Sequence, residues 1–176
     1  NTPNIIKSFN DGRIRYIRNE QNFGVIDSFE RGIKASTGKW IARMDSDDIS
    51  YPNRFEELLD FLSTHEDVVL LGSTFHYVSP SGKIIRIENF PTRGWRYLSK
   101  EILTLDQRFF ADSSTLFLRD AAINVGLLDH NFDIELPLWY RLLEVGKGVE
   151  IYKPLYLYRI ELNSIIMGLR TCCSGF

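Results

Sequence analysis

Trp40-Ile41-Ala42-Arg43-Met44-Asp45-Ser46-Asp47-Asp48 is the stretch that decides the fold. A short apolar run ending in three carboxylates reads as a buried strand that opens into a loop, and ligands of open α/β sheets gather at the carboxyl ends of such strands. Upstream, Val25, Ile26, Phe29 and Ile33 recur at three- and four-residue spacing, which predicts a helix over 25–35 stopped near Gly38. Downstream, Pro52 opens a helix over 53–64 with Phe55, Leu58, Leu59, Phe61 and Leu62 as its apolar stripe. Residues 68–71 form a continuous apolar run suited to a buried strand, and 74–78 and 83–87 flank Ser79-Pro80-Ser81-Gly82 as a hairpin.

The remaining segments extend this order. Thr2 and Pro3 mark the start of a helix over 3–9, Asp11-Gly12 is a turn, and 13–18 alternates like a strand. Further on, 95–105 reads as a helix, 114–118 as a strand, 120–125 as a short helix and 136–145 as an amphipathic helix stopped by Gly146. Residues 149–152 and 155–159 read as closing strands. Alternating helices and strands followed by a hairpin predict an α/β fold, a Rossmann-like mixed sheet with flanking helices. The expected organisation is one domain over 1–160 and a C-terminal tail over 161–176.

Composition narrows the function classes. The 176 residues suffice for one core, and 44% hydrophobic with 13% aromatic residues is a folding composition. With 21 basic against 23 acidic residues the net charge is -2, so no global field draws nucleic acid. Cys172 and Cys173 are sequence neighbours and cannot staple distant parts of the fold, which points to a reducing cytoplasm. No apolar run approaches the roughly 18 residues of a membrane span, and no leader pattern opens the chain. The chain starts on Asn1 and a helix start, as though in mid-fold.

The carboxylates Asp45, Asp47 and Asp48 repel one another, and a divalent cation is the natural compensation. Mg2+ or Mn2+ takes one or two carboxylates and completes its shell with water and phosphate oxygens, so the cluster suits a diphosphate. The competing reading is a solvated acidic loop in which Asp48 or Ser50 caps the next helix. A calcium loop of the EF-hand kind fits worse, because Ile49 and Ser50 stand where an oxygen ligand and a glycine are required.

Asn22-Phe23-Gly24, Gly32-Ile33, Ala35, Gly38 to Ala42 and Asp45-Ser46-Asp47-Asp48 resemble, in order and spacing, the first-half signature of family 2 glycosyltransferases. Pro52, Arg54, Glu57, Val69 with Gly72-Ser73, Arg119, Gly126, Leu138-Trp139, Arg141-Leu142, Pro154-Leu155 and Tyr158-Arg159 are similar to the rest of that pattern. The resemblance implies the nucleotide-diphospho-sugar transferase type of fold, a DxD motif, metal dependence, and inverting transfer from a nucleotide diphosphate sugar, UDP-linked by expectation. It assigns diphosphate and metal to Asp45 and Asp47, with Asp48 as the alternative ligand, and sets Asn22 and Gly24 at the turn bordering the nucleotide. A plain loop with Gly24 supplying a special backbone angle is the competing account of those two. The expected acceptor is a glycan or a lipid-linked glycan in bacterial surface polysaccharide synthesis, with the protein cytoplasmic or peripheral at the inner face of the membrane.

Inverting transfer needs a carboxylate base for the acceptor hydroxyl. The family pattern places a Glu-Asp pair shortly before Leu138-Trp139, and here that pair is Ile134-Glu135. Glu135 therefore takes the base position, with Asp133 as the alternative, while a charged helix start favoured by the macrodipole explains both without catalysis. Glu30 and Pro137 also depart from the pattern. The family's opening strands, which hold base and ribose, are expected to be missing before Asn1, leaving an open strand edge through which two copies are expected to pair as a homodimer. Arg93, Arg96 and Lys100 with Trp95 and Tyr97 form a basic aromatic stretch that suits either a solvated face or an anionic membrane. Two other classes compete: a non-catalytic fragment that only binds, and a different metal-dependent phosphoryl transferase. The second has no reason to carry the pattern from Asn22 to Trp40.

Overall fold

The computed structural model describes residues 2–87, 91, 93–105, 111–127 and 136–160. Its strands are β1 (Trp40–Ala42), β2 (Ile49–Ser50), β3 (Val68–Val78), β4 (Ile84–Ile87), β5 (Trp95–Tyr97), β6 (Leu116–Leu118) and β7 (Lys147–Arg159). Its helices are α1 (Thr2–Ser8), α2 (Gly24–Ala35), α3 (Arg54–Ser63), α4 (Lys100–Leu105), α5 (Arg119–Asn124) and α6 (Leu136–Val145). The sheet runs β1-β6-β3-β7-β2, with β4 added to β3 and β5 to β7.

Two long strands organise it. β3 and β7 pair in parallel from Val68 opposite Lys147 to Val78 opposite Arg159, and register shifts along the pair bend it. Val68 to Leu71 are buried on both faces, as a central strand covered by helices on each side requires. On one face Ile26 and Ile33 of α2 and Leu138, Trp139 and Leu142 of α6 meet Leu70 and Phe117. On the other, Leu58 and Leu62 of α3 meet Leu71, Leu116, Val149 and Leu155. This is the mixed α/β sandwich that the alternating pattern predicts.

Several local expectations change. Residues 13–18 form no strand: no described strand lies beside them, and Ile14, Tyr16 and Ile17 are exposed. On α3 the inward stripe is narrower than its apolar content, since Phe55 and Leu59 face outward while Arg54 is buried. The stretch 95–105 splits, because Trp95, Arg96 and Tyr97 pair with β7 before α4 begins. The two closing strands are one bent strand, β7, and β2 is an additional strand docked on its end. No helix among the described residues is long and apolar enough to cross a membrane.

Gly146 is where α6 meets the sheet. A Cβ there would run into both methyls of Val69 and lie 3.2 Å from the Asp67 carbonyl. Gly146→Ala is expected to cost about 1–3 kcal/mol through overpacking, lowering the thermal midpoint by about 2–4 °C for each kcal/mol. A melt followed by circular dichroism checks it.

Candidate active site

The acidic loop leaves β1 where Arg43 donates its backbone N–H to the Thr115 carbonyl at 2.9 Å. It returns to the sheet through β2, which docks on the far end of β7. Within it the three aspartates have different fates. Asp48 is only 8% exposed. Its Oδ1 accepts from the Arg159 backbone N–H at 2.7 Å and its Oδ2 from the Ser113 hydroxyl at 3.1 Å. Burial pushes its carboxyl above the ordinary range, and the hydrogen bonds from Arg159, Tyr156 and Ser113 hold part of that rise back. Asp45 is partly buried, with Oδ1 3.2 Å from the Arg43 guanidinium, and its backbone N–H donates to the Tyr156 hydroxyl at 3.2 Å. Burial raises its carboxyl too, opposed by Arg43 and assisted by Asp47.

Asp47 is the exposed member. Its backbone carbonyl accepts from Arg159 Nε, while its carboxylate has no hydrogen-bond or ion-pair partner among the described residues. Of the two carboxylates expected to meet a cation, Asp48 therefore has both oxygens engaged by protein donors and Asp47 has neither. No group of three or more His, Cys, Asp or Glu among the described residues forms a metal cage. The free Asp47 carboxylate is a donor that Mg2+ or Mn2+ can use, since these ions take one or two carboxylates and draw their other ligands from phosphate and water.

Beneath the loop lies Arg54, fully buried. Its Nη2 donates to the Arg43 carbonyl at 2.9 Å, and its guanidinium lies over the Tyr156 ring at 4.9 Å. Nε and Nη1 are buried without a hydrogen-bond partner among the described residues, so the side chain acts more as a packed wedge than as half of an ion pair. Because a buried charge is costly, Arg54→Met is expected to keep most of the native stability. Arg54→Ala, which empties the site, is expected to lose about 3 kcal/mol. Urea denaturation of the two variants separates volume from charge.

Asn22 is occupied locally: its Oδ1 accepts the Gly24 N–H at 2.9 Å and starts α2, with Gly24 at φ 87°. This is the loop role weighed for both residues. α2 reaches the site through Phe29, over which the Arg43 guanidinium lies at 5.5 Å. Glu135 and Asp133 lie outside the described residues. Trp139, one turn into α6, is fully buried, and its indole N–H donates to Asp112 Oδ1 at 2.7 Å. Asp112 opens a short 3-10 turn, Asp112–Ser114. Burial pushes its carboxyl up, with Arg43 and the Trp139 hydrogen bond opposing.

Sequence reasoning assigned no role to Arg43, Asp112, Ser113 or Tyr156. Arg54, Trp139 and Arg159 stood in the motif series, but nothing local marks a serine or aspartate that acts across 65 residues, as Ser113 does on Asp48. The basic aromatic stretch is at the opposite end of β7. There Arg96 is bound to the buried Glu150 at 2.8 Å and Lys100 to Glu144 at 2.6 Å, which commits two of its three cations to carboxylates.

Comparison with known proteins places this arrangement. The family model described as Glycosyl transferase family 2 matches residues 1–126. The chain is 30% identical over 155 residues to the amylovoran biosynthesis glycosyltransferase AmsE of Erwinia amylovora, covering 86% of this chain and 55% of that protein. It is 33% identical to the putative glycosyltransferase EpsE of Bacillus subtilis, covering 86% and 54%. The chain thus spans about half the length of the curated relatives it matches. Among solved structures, S. aureus TarS 1-349 in complex with UDP-GlcNAc superposes with a TM-score of 0.68 at 13% identity, over 94% of this chain and 48% of TarS.

Proposed function

The chain belongs to glycosyl transferase family 2, and from that premise we propose that it serves inverting transfer of a sugar from a nucleotide diphosphate sugar, UDP-linked, to a glycan or lipid-linked acceptor of a bacterial surface polysaccharide. The observation that carries the donor half is the acidic loop: two aspartates tied into the protein, and Asp47 left exposed at the carboxyl end of β1. Relatives named for amylovoran and succinoglycan biosynthesis support the polysaccharide reading. TarS with UDP-GlcNAc, a structure of the same fold, supports the donor class.

In this reading Asp47, with Asp45 beside it, would hold Mg2+ or Mn2+, which neutralises the charge of the departing diphosphate. Glu135 takes the proton of the acceptor hydroxyl as that oxygen bonds to the anomeric carbon and the bond from that carbon to the diphosphate oxygen breaks. Attack from the face opposite the leaving group inverts the centre. Asp48 holds the loop to β7 and to the 3-10 turn, and Arg43 holds Asp45 against the core.

Calorimetric titration of UDP with Mn2+ into the chain, or into the longer polypeptide where it is carried in one, tests the donor site. A saturable, Mn2+-dependent signal is the expected result. Silence with UDP, GDP and dTDP alike would overturn the assignment and leave a module that binds only some other partner.

A further inference from the structure

The 3-10 turn at Asp112–Ser114 has two neighbouring side chains that reach in different directions. Ser113 donates to Asp48 Oδ2 at 3.1 Å, which ties the turn to the acidic loop. Asp112 accepts from Trp139 Nε1 at 2.7 Å, which ties it to α6, the helix that begins one residue after Glu135. The turn itself is fixed. Ser114 donates to the Ser73 carbonyl at 3.2 Å, and the Thr115 carbonyl receives the Arg43 N–H at 2.9 Å. Trp139 is held as firmly, fully buried with its ring edge-on to Phe117 at 5.3 Å, and Phe117 meets Phe29 at 6.1 Å.

Among the described residues, adjacent side chains of this turn make its hydrogen bonds to the acidic loop and to α6.

We propose that Asp112 is a positioning residue: acting through Trp139, it sets where the first turn of α6 stands relative to the acidic loop, and turnover depends on that setting. The inference rests on the reading of Glu135 as the base. It predicts that the Asp112–Trp139 bond governs turnover and the order of the first turn of α6, and leaves donor affinity alone.

The test uses Asp112→Ala, Asp112→Asn and Trp139→Phe in the full chain. The asparagine keeps an acceptor oxygen facing the indole, whereas the other two lose the bond. The first readout is hydrogen exchange of the Tyr140 to Leu143 amides, which close the first turn of α6. The others are UDP–Mn2+ affinity, and kcat and KM for UDP release from UDP-glucose, UDP-galactose and UDP-N-acetylglucosamine. Asp112→Ala and Trp139→Phe are expected to speed that exchange about tenfold and to lower kcat by about 100-fold, the scale of a 1 Å misplacement. KM and UDP affinity stay within about twofold, and Asp112→Asn restores both exchange and most of kcat. Unchanged exchange at α6, a rise spread equally over the whole chain, or kcat unchanged despite looser α6 would each overturn the proposal. Should the native chain release no UDP and bind none, the donor reading fails, and the exchange arm alone then decides whether Asp112 positions α6.

Discussion

With Asp47 replaced by alanine, UDP uptake with Mn2+ is expected to be lost: affinity by calorimetry should fall by about 100-fold or more, since loss of even outer-shell partners costs a metal site about 10–100-fold. The fold is expected to be indifferent. Asp47 is exposed and its carboxylate has no protein partner among the described residues, so its loss falls within about 0.5 kcal/mol of native stability. Asp48→Ala is the internal contrast, because it strips acceptors from the Arg159 N–H and the Ser113 hydroxyl. That leaves buried donors unsatisfied at about 1–3 kcal/mol, and any loss of UDP binding follows from a loosened loop. Two aspartates side by side thus fail in different experiments, one in the calorimeter and the other in the melt. Equal UDP affinity in Asp47→Ala and the native chain would remove the cation from Asp47.

What the sequence made legible follows from the range of the interactions involved. Helix α2, helix α6 and the start of β3 are written in local periodicity, and each was read within a residue or two of its observed bounds. The acidic loop was equally legible, because an apolar run broken by three carboxylates has few other places in an α/β fold. The division of labour inside it was not. That Asp48 is a staple and Asp47 the free carboxylate depends on Arg159, Ser113 and Tyr156, which arrive from the other half of the chain. Arg54 shows the same blindness: a charged residue at a helix start reads as exposed, and among the described residues the carbonyls of Arg43 and Thr115 and the rings of Phe55 and Tyr156 make its burial tolerable. Residues 13–18 fail for the opposite reason. Their alternation is strand-like, but a strand is a property of two segments, and no described neighbour pairs with this one.

Glu135→Gln is expected to lower sugar transfer by about 10²–10⁴-fold, the usual contribution of a positioned base. UDP–Mn2+ affinity is expected to stay within about twofold, because in the proposed reading Glu135 acts on the acceptor hydroxyl and not on the donor. The glutamate also carries a sharper prediction. The family pattern has an aspartate where this chain has Glu135, beside Ile134 in place of an acid. With Glu135 as the proposed base, a carboxylate on the longer stem reaches its target from a backbone set farther back. Glu135→Asp withdraws the carboxylate by about 1 Å, and a misplacement of that size costs about 100-fold in a near-attack geometry. The variant that restores the family's usual residue is therefore expected to be nearly as impaired as the amide. Full activity in Glu135→Asp would mean that the spacing is tolerant; full activity in Glu135→Gln with loss in Asp133→Asn would move the base two residues upstream. Because the amide keeps size and shape, a fall in kcat with KM unchanged is chemistry, and a fall accompanied by lost UDP affinity is a disturbed site.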